Sequence, residues 1–194
     1  MDHQDIRTLK ILEAIDENQG QSQRDLAGKL NVSLGLVNSF IKRLARKGYF
    51  KITTIPGNRI KYILTPGGLA EKTRLSCEYI HFSFEFYQRA RQQFRKLFQD
   101  LTDMGISDIV LYGANDYPEI ACITLQETKL NLKAVVDDDK KGCMFLGNAI
   151  LDSSQLAASV TYDRIVVPVA EQREAVFQNL IDKGILREKI VLLD

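Results

Sequence analysis

The sequence predicts a mixed α/β chain in three parts: short helices closed by a two-stranded hairpin, one long helix, and a parallel sheet layered between helices. Three observations predict it. Ser22 to Gly48 (SQRDLAGKLNVSLGLVNSFIKRLARKG) holds two short apolar periodicities separated by Asn31-Val32-Ser33. From Pro66 to about Asp103 apolar residues recur at steps of three and four. Beyond Ile106, β-branched runs alternate with helical patterns, which implies strands buried on both faces. The parts fall at residues 1–68, 69–104 and 105–194.

The first helix covers roughly residues 5–17, where Ile6, Leu9, Ile11, Leu12 and Ile15 share a face. Asn18-Gln19-Gly20 stops it, with Gly20 expected in the left-handed conformation. Ser22 caps the next helix, and Asp25 three residues on completes a capping box. Leu26, Ala27 and Leu30 form its apolar set. Ser33 caps the third helix, whose buried stripe is Val37, Phe40, Ile41 and Leu44. Its other face carries Gly35, Asn38, Ser39, Lys42, Arg43 and Arg46, small, amide and cationic residues that suit base edges and phosphates in a major groove. The pair is a helix-turn-helix pattern. Phe50–Ile52 and Ile60–Leu64 read as strands joined by a turn at Pro56-Gly57-Asn58. A hairpin directly after such a helix forms a wing, with Arg59 and Lys61 placed to meet backbone or minor groove.

Thr65 caps the long helix and Pro66 lies in its first turn. Along it Leu75, Tyr79, Phe82, Phe86, Ala90, Phe94, Leu97 and Leu101 make a near-heptad stripe, widened by Ile80, Phe84, Tyr87 and Phe98. A helix of about 35 residues spans roughly 50 Å. Its aromatic content exceeds what a linker needs, and it is expected to pair two copies of the chain. Strands are expected at 108–113, 132–136, 149–151, 164–167 and 190–193. Helices are expected at 117–128, after a cap at Ser153 or Ser154, and at 171–183 with Ala175, Val176, Leu180 and Ile181 inward.

Charge separates the two ends. Between Gln21 and Thr65 nine basic residues face the single acid Asp25, a balance of +8. From Met104 to Asp194 nine basic residues stand against fourteen acidic ones, a balance of −5. One end is built to meet a polyanion such as double-stranded DNA. The few, scattered Cys77, Cys122 and Cys143 give neither a disulfide framework nor a zinc pattern. No apolar run reaches transmembrane length, and the acidic start MDHQDIRTLK has no signal core. A cytoplasmic protein that does not engage membranes is expected. No nucleophile–base pair or metal motif stands out, so an enzyme is not expected.

Two resemblances add to this reading. Residues 5–75, through SQRDLAGKLNVSLGLVNSFIKRLARKGYFK and YILTPGGLAEKTRLS, resemble MarR-type winged helix-turn-helix regulators, especially the small ones linked to exopolysaccharide gene clusters. The resemblance implies a homodimer on pseudo-palindromic operators. It places groove reading at Ser33, Gly35, Asn38, Ser39, Lys42 and Arg43, and wing contacts at Arg59 and Lys61. Residues 107–194, through IVLYGAND, LKAVVDDD, FLGNAIL and DRIVVPV, are similar to the Rossmann-like N-terminal domain of bacterial sugar acyltransferases and to CoA-binding-like domains. That likeness implies a nucleotide or nucleotide sugar near Gly113, Ala114, Asn115 and Asp137, and a small-molecule effector for the whole chain. No cofactor follows from the residues themselves. The family's G-x-G-x-x-G is here Gly113-Ala114-Asn115-Asp116-Tyr117-Pro118, with only the first glycine kept. Asp116 and Glu119 are expected to form an acidic capping box that repels phosphate. Asp137 either accepts a ribose hydroxyl or belongs to a charged turn through Gly142. Rex-type NAD(H)-sensing repressors pair the same two folds, but the broken glycine loop argues against that ligand. A sugar-nucleotide-modifying enzyme with an accessory winged helix is the other alternative.

Overall fold

The computed structural model describes all residues except 19, 56–58, 169–172 and 194, and it describes the backbone but not the side chains of 55, 59, 157, 159 and 173. The chain forms two compact units, Met1–Glu85 and Phe86–Asp194.

The first unit begins with α1 (His3–Glu17), α2 (Gln23–Leu30) and α3 (Leu34–Arg46). Strands β1 (Phe50–Ile55) and β2 (Arg59–Leu64) follow, then α4 (Pro66–Asp103), whose first part belongs to this unit. Sequence and structure agree closely here. Asp2 caps α1, and Ser22 and Asp25 form the reciprocal capping box of α2. Leu9, Ile11, Leu12 and Ile15 of α1 pack on Leu26 and on the Val37, Phe40, Ile41 and Leu44 stripe of α3. Gly20 does not adopt the left-handed conformation expected of it. Asn18 ends α1 in an extended conformation instead, its amide still bonded to Ala14 O. The left-handed residue of this region is Asn31, with φ 51°, which turns the chain between α2 and α3. β1 and β2 pair antiparallel, Phe50 opposite Leu64 and Thr53 opposite Lys61. The expected turn at 56–58 lies outside the described residues.

α4 is continuous over 38 residues. Thr65 builds its start: its hydroxyl donates to Gly48 O at 2.6 Å and accepts the Gly68 amide at 3.0 Å. Leu75 is fully buried in the first unit. Tyr79, Ile80, Phe82 and Phe84 are all exposed, from 42 to 67%.

The second unit starts within α4 at Phe86 and continues through β3 (Asp108–Tyr112), α5 (Asp116–Leu125), β4 (Asn131–Val136), β5 (Met144–Phe145), β6 (Asn148–Leu151), α6 (Ser153–Ser159), β7 (Arg164–Val167), α7 (Arg173–Asp182) and β8 (Ile190–Leu192). The sheet order is β5-β6-β4-β3-β7-β8. Every pairing is parallel except β5 with β6. The chain steps outward from β3 to β4 and β6, then returns across β3 to β7 and β8. That order is doubly wound, and its switch point lies between β3 and β7. Alternate residues of β3 feed two cores. Ile109 and Leu111 join Ala90, Phe94 and Phe98 of α4 and Ala121 and Leu125 of α5, whereas Val110 joins Leu156 of α6 and Leu180 of α7.

Three expectations in this unit are corrected, and one element is added. The cap of α6 is Asp152, not Ser153 or Ser154: its carboxylate accepts the Gln155 amide at 2.6 Å, and Gln155 returns a bond to the Asp152 amide. Ser153 is buried and bonds elsewhere, as shown below. Asp116 and Glu119 do not make a capping box, because Asn115 caps α5 by accepting the Tyr117 amide at 3.2 Å. Ala175 faces solvent, since it lies off the three-and-four spacing that Val176 and Leu180 share. The β5–β6 hairpin was not anticipated. Its turn, Leu146 at φ 47° and Gly147 at φ 81°, carries the left-handed pair that two-residue hairpins need, but a leucine there gives no sequence signal.

Candidate nucleic-acid interface

The interface is assembled on α3. Ser33 accepts the Leu36 amide at 3.3 Å and fixes where the helix begins. The buried stripe holds one side against α1 and α2. At about 100° per residue the opposite side must then be Gly35, Ser39, Lys42 and Arg46, and all four are exposed. Arg46 Nε donates to Lys42 O, which lays its side chain along this face. Among the described residues neither Lys42 nor Arg46 has a carboxylate within ion-pair distance. Two unpaired cations beside a glycine and a serine leave room and charge for a sugar-phosphate backbone.

Asn38 and Arg43 flank this face on opposite sides, and both are half-buried. The Arg43 guanidinium lies 4.3 Å over the Phe40 ring and donates to Gln4 Oε1 at 2.7 Å. Its Nε is buried without a partner. Arg43 is therefore held against α1, a contact between residues 39 positions apart that the sequence does not reveal.

On the hairpin, Tyr62 is buried edge-on against Phe50, with centroids 5.6 Å apart. That contact anchors the wing to the core. Lys61 is half-buried opposite Thr53, and Lys51 stands exposed on the same strand face opposite Ile63. Lys51 was missed by sequence reading, although period-two alternation would have placed it beside Lys61. The Arg59 side chain lies outside the described residues. Lys29 and Lys72 are committed to Glu17 and Asp16. Asp25, the one acid of the basic stretch, is held below the usual carboxylate range by the Ser22 hydroxyl and amide it accepts.

The candidate ligand residues of the second unit also come together. Gly113 follows β3 at the switch point with φ 97°. Ala114 is nearly buried; its amide donates to Asp137 Oδ2 at 2.9 Å, and its carbonyl accepts Lys140 Nζ. Asn115 caps α5. Asp137 also accepts the Asp139 amide at 3.1 Å, so it belongs to the charged turn and closes it on the glycine loop. The neighbouring Asp138 accepts from Ser153 N and Oγ, Asn179 Nδ2 and Lys183 Nζ at 2.8–3.1 Å. Burial pushes its carboxyl up, but Lys183 and Ser153 outweigh that and lower it to about 2. Tyr112 is pushed up by burial and by Asp138.

Among the described residues no group of three or more His, Cys, Asp or Glu could hold a metal ion, and no helix is long and apolar enough to cross a membrane. The three cysteines are free.

The helices, turn and hairpin of the first unit define a winged helix-turn-helix. Residues 4–51 match the family model described as winged helix-turn-helix DNA-binding. Solved structures show partial likeness over about half the chain. The PcaV transcriptional regulator from Streptomyces coelicolor is 23% identical, with 51% of this chain and 77% of that one covered and a TM-score of 0.41. The MepR–DNA complex from S. aureus is 18% identical, with 54% and 78% covered and a TM-score of 0.40. No curated protein matches the chain.

Proposed function

We propose that the chain is a DNA-binding transcriptional regulator that acts as a homodimer of MarR type and is not an enzyme. The observation that carries this is the exposed, unpaired cationic face of α3 beside a lysine-bearing wing. Gly35, Ser39, Lys42 and Arg46 would enter the major groove, Asn38 would reach one base edge, and Ser33, Lys51, Lys61 and Arg59 would contact backbone or minor groove. Affinity then comes mainly from phosphate neutralisation and counterion release.

The partner is a second copy. Tyr79, Ile80, Phe82 and Phe84 occupy more than half the circumference of one short stretch of α4, and an exposed apolar face of that breadth needs cover. A twofold arrangement would give two recognition helices for the two halves of a pseudo-palindromic operator. Polysaccharide genes as targets, and a nucleotide sugar as effector, rest on the resemblance of sequence alone.

The test is binding of purified chain to genomic DNA fragments over a range of salt. A logarithmic fall in affinity with salt supports the reading, and no binding to any duplex in dilute salt overturns it.

A further inference from the structure

A doubly wound sheet with a glycine after its first strand invites a nucleotide: phosphate on the loop and helix amides, ribose on an acid at the end of the second strand. Both seats are filled here by the chain itself. Gly113 N donates to Val136 O, Ala114 N to Asp137, Tyr117 N to the Asn115 side chain and Glu119 N to Asn115 O. Pro118 has no amide to offer. That leaves the amides of Asn115 and Asp116, and the Asp116 carboxylate sits on the same turn. Gly113 itself is accounted for without a ligand. Its φ is positive, and a Cβ there would stand 3.2 Å from Pro118 Cγ. On the ribose side Asp137 is bound to Ala114 and Asp139, while Asp138 is surrounded by Ser153, Asn179 and Lys183. Neither acid has its carboxylate turned over to an outside hydroxyl.

We propose that Asp137 is the resident anion of this fold's phosphate seat, held there by the Ala114 and Asp139 amides, and that the second unit takes no nucleotide. The carboxylate does for the Ala114 amide what a phosphate oxygen does in a nucleotide-binding relative of this topology. An incoming phosphate would have to displace Asp137 and meet Asp116 and Glu119, with two amides in return. The group implied by the Rossmann-like resemblance does not fit the residues present, so the unit serves as a fixed scaffold on α4 and not as a nucleotide sensor. This goes beyond the DNA-binding reading and is independent of it.

The experiment uses the full chain in calorimetric and thermal-unfolding titrations with inorganic phosphate, ADP, NADH and UDP-glucose. The wild type is expected to show no saturable heat and no rise in unfolding midpoint with any of them, and its Ala114 amide should exchange with solvent as slowly as the sheet amides of β3. Asp137→Ala, which frees Ala114 N and removes the resident negative charge, should gain affinity for inorganic phosphate by about tenfold or more. Saturable binding of any nucleotide by the wild type overturns the proposal, as does a folded Asp137→Ala chain indifferent to phosphate. If that variant does not fold, the Ala114 exchange rate in the wild type decides, and fast exchange refutes the closure of Asp137 on Ala114. Operator binding on the same preparation reports separately on the DNA reading.

Discussion

Gly68 stands so close to Tyr49 that a Cβ on it would lie 1.8 Å from the Tyr49 carbonyl oxygen. The Thr65 amide donates to that same carbonyl at 3.0 Å. The Leu-Thr-Pro-Gly-Gly element is thus a joint, fastening the start of α4 to the chain segment that leaves α3. Gly68→Ala forces backbone apart at this joint, and a loss of about 1–3 kcal/mol or more is expected, the range of overpacking in a tight site. Gly67→Ala, where a Cβ would meet only Thr65 Oγ1 at 3.7 Å, should be nearly neutral. Chemical denaturation of both variants checks the contrast.

Lys42 and Arg43 are neighbours with different work. Lys42→Ala should weaken binding to every duplex and reduce the logarithmic salt slope by about one, with stability within about 0.5 kcal/mol of wild type. Arg43→Ala removes the stack on Phe40 and the bond to Gln4, so about 1 kcal/mol of stability should go with little change in salt slope. The discriminating measurement is salt-dependent fluorescence anisotropy beside urea unfolding. Equal slopes for Lys42→Ala and wild type would count against groove docking.

Asn38→Ala should relax preference at one base position by about 1–3 kcal/mol and leave nonspecific affinity unchanged. Selection of bound sequences from a random duplex pool reads this directly. A uniform loss at all positions would remove Asn38 from base readout.

The exposed aromatic stretch of α4 gives a test of assembly. Phe82→Glu with Phe84→Glu puts two charges where a second copy would pack, and neither side chain is buried within the chain. The variant should sediment as a monomer at micromolar concentration and lose operator affinity much more than nonspecific affinity. A wild-type chain that is itself monomeric would overturn the homodimer.

Asp138 sets an acid limit on the second unit. Its folded pKa, about 2, lies below the unfolded value of about 3.9, so its contribution is complete above about pH 4 and is lost as pH falls towards 2. The difference corresponds to about 2 kcal/mol, with its side chain 24% exposed. Asp138→Asn should lower stability at neutral pH and flatten the acid limb of unfolding followed by circular dichroism between pH 2 and 5.

The sequence by itself determined the local layers of this protein. Apolar spacing placed α1 to α3 and the long helix, because a buried stripe must repeat every three or four residues. Short side-chain oxygens marked the starts at Ser22, Ser33 and Thr65, since only such groups reach back to an orphan amide. The cationic run around Lys42 and Arg46 announced a surface for a polyanion. Tertiary structure decided what non-local contacts fix: that Arg43 leans on α1, that Lys51 stands beside Lys61, that Gly68 must pass under Tyr49, and that Asp137 closes onto Ala114 23 residues away. A carboxylate near a glycine loop reads the same in a string of letters whether it awaits a ribose or already holds an amide. Only the folded path, which brings the end of β4 beside the end of β3, separates the two.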